Sequence, residues 1–565
     1  MGITDRIKRI NFAEILLVIS LFFIGIFHEY LSCAVSAVIL VMLCVRLAGT
    51  GKLKFYRSPI LIASAAALFF YALSAFWAVD SGAAFIGFMK FLPAPLFLLL
   101  LMQQKDTDGI IHRLPYVAAV MTVLPAAGMQ IPLFRPFFSV AGRLAGFFQY
   151  PNTFALFLLI AVLVVLSKDK YSAADFVILA LLLFGIVYTG CRTVAVMAAI
   201  FCPLMLLSGK NRRIKFAVLG VLAFVVIAFA AAVLISGNTG VFGRIFTVSL
   251  SESTFVGRLL YFRDALPVIA THPFGLGYMG WYYIQQSVQT GLYSVRFVHN
   301  DILQLMLDVG WIPFILFAAA VFRALKNGKN PFYKKLILIA VLMHSCFDFD
   351  LQFIAVFFVL MLFSDYTDGK EIFLKPGRSG KKALICISAA AAVLSVYMGT
   401  ALALSRFGQY GAAHAMYPWN TQNEISMLTG EKDIAAADKE ADGIIARNSH
   451  VQVAYSAKAR YAYSKGDFAQ VIKYKDLIFE NAPFAYEEYE EYCYMLINGI
   501  ALYRSAGDTD SAEICRRELI GAKEKLENTE KRLSRLGRMI NDQPTLRLPE
   551  EIENYISAME ASEQK

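Results

Sequence analysis

Apolar runs at 12–28, 31–47, 60–79, 84–102, 114–130, 153–167, 174–190, 193–207, 215–235, 301–322, 333–348, 350–364 and 383–404 follow one another through the first 404 residues. A helix needs roughly 17 to 25 such residues to cross the hydrocarbon core of a bilayer, so the pattern predicts about 12–13 transmembrane helices. In hydrocarbon the backbone must satisfy its own hydrogen bonds, and at this spacing only helices do so. With 58% hydrophobic and 17% charged residues and a mean hydropathy of +0.56, a soluble globular fold is excluded. The fold expected is all-α, a polytopic membrane helix bundle.

The charges divide the chain. Of 53 Lys+Arg and 43 Asp+Glu, residues 405–565 hold 20 and 26, leaving 33 and 17 in residues 1–404, a net of −6 against +16. A basic apolar body thus precedes an acidic, charge-rich tail, and the expected domains are 1–404 in the membrane and 405–565 outside it. The pI near 9.0 comes from membrane topology and gives no argument for nucleic acid. Alternate connections carry the cations, from Arg6/Lys8/Arg9 and Lys52/Lys54/Arg57 to Lys375/Arg378/Lys381/Lys382, and by the positive-inside rule that side is the cytoplasm. The N-terminus is therefore expected in the cytoplasm, without a cleavage signature after the first run. The opposite face receives 131–151, Cys191/Arg192, a long loop at about 236–298, Asp348/Asp350 and the tail.

Eight cysteines form no Cys-x-x-Cys pair and no Cys/His cluster, so a metal site is not expected. Cys493 and Cys515 could meet across antiparallel helices, although a disulfide between them is not the reading preferred. In the tail, Ala454 to Pro483 shows helical periodicity with small residues at crossings and a Gly466-Asp467-Phe468 turn, and a second Gly-Asp turn comes at Gly507-Asp508. This resembles a tetratricopeptide (TPR) repeat, without its signature Trp; a generic antiparallel helical bundle is the plainer alternative. Either surface suits a glycan or an envelope protein partner. The cluster Lys531/Arg532/Arg535/Arg538 reads as a solvated face.

The long outward loop is rich in aromatics, with GRLLYFRDALPVIATHPFGLGYMGWYY from Gly257 to Tyr283. An interfacial reading puts Trp281, Tyr282 and Tyr283 in the headgroup belt, with Arg258 and Arg263 snorkelling to phosphates. His299-Asn300 at the mouth of the next run and Arg192 at another add a base and guanidinium groups, which suit a substrate with an anionic head and a lipid tail. Lys90, inside an apolar run, is functional by the rule for intramembrane lysines or else snorkels. Asp264 is expected to pair with Arg263.

His299-Asn300, nine residues, then Gly310 resembles the H-[NSQ]-x9-G-x-x-[GTY] signature of the O-antigen ligase and O-antigen polymerase superfamily, with Pro313 at the last place. Arg192 to Val196 resembles that family's R-x3-L element, with Val196 for Leu. Gly257 to Tyr261 with His272 to Gly277, Gly142 to Asn152, and His344 to Asp350 are similar to further segments of it, as is a helical-repeat tail. The resemblance implies a multi-pass protein of the bacterial plasma membrane and a metal-independent, inverting glycosyltransferase that needs no cofactor. Its implied partners are membrane lipids, a polyprenyl-pyrophosphate-linked glycan donor on the outer leaflet, and a glycan, lipid or protein acceptor.

Site roles follow from that chemistry. Arg192 and Arg258, with Arg263 in reserve, are expected to bind the leaving pyrophosphate, because a guanidinium fork stays charged and grips phosphate at two points. His299 is expected to take the proton of the acceptor hydroxyl, with Asn300 orienting the ring or the sugar. Arg143 and Asn152 are candidates for the donor entrance, against a plain helix junction capped by Asn152; His344, Asp348 and Asp350 are candidates for ordering water or the acceptor. A secondary transporter or flippase of lipid-linked glycan is the alternative, for which ionisable residues near the midplane, broken helices and internal repeats are expected. A non-catalytic anchor for the tail is the third.

Overall fold

The structure is a computed structural model and describes residues 11–104, 107–208, 220, 227, 253–540 and 546–563. Apart from residues 220 and 227, the expected run at 215–235 lies outside the described residues, as does the start of the long loop. What is described is nearly all helix, with two short antiparallel ribbons as the exceptions: Leu53–Tyr56 against Glu371–Leu374, and Ser139–Val140 against Arg143–Leu144. Among the described residues, four stretches are long and apolar enough to cross a membrane: Glu29–Thr50, Ser81–Leu101, Asp108–Gly128 and Arg378–Arg406. Phe12–Phe22, Pro59–Ser74, Pro151–Leu166, Ala173–Thr189, Arg192–Ser208 and Ile354–Phe363 are shorter apolar helices.

The chain divides into two compact units. The first comprises 1–72, 86–249 and 299–402. Its centre is the Pro151–Leu166 helix, in which every residue but Asn152 is buried. A helix apolar all round is hidden from water by protein or by lipid, and Asp108–Gly128, Ala173–Thr189, Arg192–Ser208 and Phe332–Ser345 pack around this one. Ile354–Phe363, buried except at Phe357, is a second core helix, and Phe358 stacks on Phe97 with ring centroids 4.0 Å apart.

Two expected runs are each split into two α-helices. The 84–102 run is divided at Leu92, with Pro93 opening the second helix at a position where its missing N–H costs nothing. The 301–322 run is also two helices, Asp301–Val309 and Trp311–Lys326, with Gly310 between them at φ 81° and ψ −167°. That backbone conformation belongs to glycine, since a Cβ there is strained by about 1–3 kcal/mol. Gly310→Ala is accordingly expected to lower the unfolding midpoint of the purified protein, whereas Ile312→Ala, on the exposed side of the next helix, is expected to leave it nearly unchanged.

Lys90 does not snorkel. Its side chain is fully buried, with Nζ 3.9 Å from Glu29 Oε1 and 5.0 Å from the centre of the Phe27 ring.

The second unit comprises 73–85, 250–298 and 403–565. From Thr421 onward its tail is a succession of helices, Thr421–Gly430, Ile434–Arg447, Gln452–Ser464, Phe468–Asn481, Tyr486–Ser505 and Thr509–Lys531, each packed on the next. The two Gly-Asp turns work alike: Gly466 and Gly507 have positive φ, and Asp467 and Asp508 cap the following helices by accepting from the backbone N–H of Gln470 and Ser511. Cys493 and Cys515 are buried free thiols.

The segment from Gly257 to Tyr283, expected in the long loop, is part of this unit's packing. Trp281 is fully buried, and Tyr283 packs with Leu428, Ala441 and Val451. These two aromatics are therefore packed in protein and not in a headgroup belt, because the tail supplies an apolar surface that the loop sequence alone does not reveal. Asp264 does not take Arg263 as its partner; it accepts from Thr290 N at 2.8 Å, Thr290 Oγ1 at 2.7 Å and Tyr293 OH at 3.0 Å, which closes the loop on itself.

Candidate active site

The nine residues between Asn300 and Gly310 are one helix. Asn300 is its N-cap, its Oδ1 accepting from Ile302 N and Leu303 N at 3.0 Å each, and Gly310 ends it by donating its N–H to Met306 O. The signature spacing thus measures a helix with its start and stop, and Pro313 falls in the first turn of the next helix, where proline is tolerated. The Asn300 amide also donates from Nδ2 to the Cys346 carbonyl at 2.9 Å. Asn300 therefore fixes the backbone that carries His299, and its side chain makes these contacts where ring or sugar contacts were expected.

His299 has φ 55°, a left-handed conformation uncommon outside glycine. Its Nδ1 lies 3.3 Å from Asp348 Oδ1, and its ring meets Phe349 edge to face at 4.9 Å. The imidazole is 23% exposed and the carboxylate 1%. Asp348 is fixed from several sides: Tyr150 OH donates to Oδ1 at 2.8 Å, Asn152 Nδ2 to Oδ2 at 2.7 Å, and Phe349 N to Oδ1 at 3.0 Å. Asn152 in turn accepts from Arg143 Nη2 at 2.5 Å, and Arg143 Nε donates to the Thr189 carbonyl at 2.7 Å. Tyr150, not Asn152, is the N-cap of the Pro151–Leu166 helix, so Asn152 serves the carboxylate and not the helix end.

A carboxylate on Nδ1 selects the tautomer with its proton there and leaves the lone pair on Nε2. The pair can accept a proton from a hydroxyl and stabilise the imidazolium that results.

His344 belongs to a second, fully buried pair. Its Nδ1 lies 2.5 Å from Asp350 Oδ2, Thr153 Oγ1 donates to Asp350 Oδ1 at 2.7 Å, and Cys191 Sγ lies 3.8 Å from His344 Nε2. Arg192 follows Cys191 at the start of its helix. The structure thus brings Arg143, Asn152, Asp348 and His299 into one hydrogen-bonded chain and sets His344 beside Asp350. Arg258 and Arg263 lie on the Ser253–Thr271 helix of the other unit, where Arg263 is exposed with Nη1 3.5 Å from Thr290 Oγ1. Tyr150 and Thr153 were not singled out in the sequence; each is an unremarkable residue whose partner lies almost 200 positions away. Among the described residues, no group of three His, Cys, Asp or Glu is placed to hold a metal ion.

The described residues thus combine a nearly all-helical fold, several of whose apolar helices could span a membrane, with a carboxylate-held histidine at the mouth of a broken helix. The family model described as O-antigen ligase matches residues 177–318, a stretch that carries Arg192, Arg258, Arg263, His299 and Asn300. Over that stretch the chain has the sequence pattern of the O-antigen ligase superfamily, which supports a membrane glycosyltransferase of the ligase or polymerase type. No curated protein and no solved structure is significantly similar to the chain.

Proposed function

We propose that this protein transfers or polymerises glycan from a polyprenyl-pyrophosphate donor at the outer face of the bacterial plasma membrane, in cell-surface polysaccharide biosynthesis. The observation that carries the reading is the His299–Asp348 pair, with its carboxylate fixed by Tyr150 and Asn152. The acceptor hydroxyl gives its proton to His299 Nε2 as its oxygen bonds to the anomeric carbon. The bond from that carbon to the pyrophosphate oxygen breaks with its electron pair, and attack opposite the leaving group inverts the centre. Arg192 and Arg258 are assigned to the charge that develops on the pyrophosphate, where fixed positive groups act most strongly on the transition state. No step calls for a metal. The tail, with its capped helix turns, is assigned a TPR-like role in holding glycan or an envelope protein.

The sidedness is supported by the ribbon pairing Leu53–Tyr56 with Glu371–Leu374, which requires those two connections to share a face, as their cations also suggest. The break at Gly310 favours one competing reading, a flippase of lipid-linked glycan, because discontinuous helices are characteristic of transporters. Proteoliposomes supplied with a polyprenyl-pyrophosphate glycan and a panel of acceptors separate the two. Release of polyprenyl pyrophosphate with a glycan-extended product is the result expected. Donor crossing the bilayer with no bond broken would overturn the enzyme reading in favour of the flippase.

A further inference from the structure

A cavity of about 400 Å³ in the first unit lies between the Pro59–Ser74 helix and the broken pair Asp301–Val309 and Trp311–Lys326. Its walls are hydrocarbon and small side chains, among them Ala63, Ala67, Leu68, Phe317 and Ala318. Five side chains with polar groups line it as well: Ser64 and Tyr71, whose hydroxyls donate to the Leu61 carbonyl and to Asp308, and Asp301, Ser345 and Gln352, at 5%, 1% and 3% exposure. Asp301 Oδ1, Ser345 Oγ and Gln352 Oε1 are all buried and make no hydrogen bond of standard geometry, the Ser345 hydroxyl lying beside the Asp301 carboxylate. Asp301 Oδ2 accepts from Leu351 N at 2.8 Å, so the carboxylate and Gln352 stand together at the Asp350–Gln352 turn. Leaving one such atom unpaired costs about 1–3 kcal/mol, and three in one apolar cavity mark a place for a ligand's polar end.

The chemistry of that end selects the ligand. Two of the atoms are acceptor oxygens and the third is a hydroxyl, which both donates and accepts. A ligand hydroxyl can donate to Asp301 or Gln352 while accepting from Ser345. A phosphate, which offers only oxygens, meets two lone-pair-bearing oxygens and is repelled. We propose that this cavity binds a lipid alcohol, a single aliphatic or isoprenoid chain with an unphosphorylated hydroxyl head, and so is separate from any site for the pyrophosphate donor. Asp301 is two residues from His299, and Gln352 is on the segment that carries Asp348. We assign the bound hydroxyl the part of glycan acceptor, its oxygen bonding to the anomeric carbon as its proton passes to His299; this last role rests on the proposed transferase, while the binding does not.

The test uses the full chain in phosphatidylethanolamine/phosphatidylglycerol nanodiscs with a diazirine-bearing hexadecanol as photoreactive probe. Crosslinks are expected in 63–71 and 314–325, competed by undecaprenol far better than by undecaprenyl phosphate. Gln352→Leu is expected to lower labelling about 5- to 10-fold, the value of one hydrogen bond near 1 kcal/mol. Ala67→Trp and Ala318→Trp, filling the cavity from opposite walls, are each expected to abolish it, whereas His299→Ala is expected to retain it. Competition by the phosphate equal to that of the alcohol would overturn the proposal and make the cavity a donor-tail site. Labelling unchanged in Gln352→Leu would also overturn it, leaving annular lipid. Labelling as expected, in a chain that glycosylates another acceptor but never the alcohol, would remove the acceptor role alone.

Discussion

Replacing His299 with alanine is expected to lower glycan transfer in proteoliposomes by about 10²–10⁴-fold, the usual contribution of a positioned general base. The loss should fall on kcat, with the KM for donor little changed, since the imidazole acts on the acceptor proton. Asp348→Asn is expected to come close to the same loss, because an amide can present its N–H to Nδ1 and favour the wrong tautomer, an effect of about 10⁴-fold in the serine protease triad. Tyr150→Phe removes one of the bonds that fix Asp348 and should cost less, about 10-fold. A His299→Ala protein with wild-type turnover would remove the base from the mechanism. Wild-type turnover in Asp348→Asn would remove only the orienting carboxylate.

A second large effect concerns stability. Glu29 opens the Glu29–Thr50 helix, and Lys90 lies in the last turn of Ser81–Phe91 with its ammonium fully out of contact with solvent. Removing one member of a buried pair leaves the other charge poorly compensated and typically costs about 3–5 kcal/mol. Glu29→Gln and Lys90→Met are each expected to destabilise the purified protein by that order, seen as a lower unfolding midpoint in detergent. The double variant Glu29→Gln with Lys90→Met should lose less than the sum of the singles, since neither member of the pair is left without the other. Additive losses in this cycle would mean that the two groups do not act as a pair.

Much of this was legible in the sequence, and what escaped did so for identifiable reasons. Apolar runs predict helices because a backbone in hydrocarbon has no other partner for its hydrogen bonds, and the described residues are indeed nearly all helical. Hydropathy does not register a single glycine, so 301–322 was read as one span although Gly310 divides it. The same glycine was legible as a motif position without its physical meaning, which is the length of one capped helix. His299 was singled out from its neighbour Asn300, but the residue seated on its ring is Asp348, 49 positions on, and pairing across that distance leaves no trace in local spacing. Trp281 and Tyr283 read as headgroup aromatics because composition does not distinguish a wall of lipid from a wall of protein.

The small ribbon joining Leu53–Tyr56 to Glu371–Leu374 also governs the order of assembly. Tyr56 OH donates to Glu371 Oε2 at 3.0 Å across 315 residues of chain, and Arg57 N to the Lys370 carbonyl at 3.1 Å. During synthesis the first strand leaves the ribosome with its partner not yet made, and its backbone edge stays unmatched until the chain has been extended past Leu374. At roughly 5–20 residues per second such a wait lasts on the order of tens of seconds. The ribbon therefore acts as a late clasp: the early part of the first unit cannot reach its final form ahead of the late part. A chain stopped before the second strand would leave an open β edge, the kind of surface that recruits other chains.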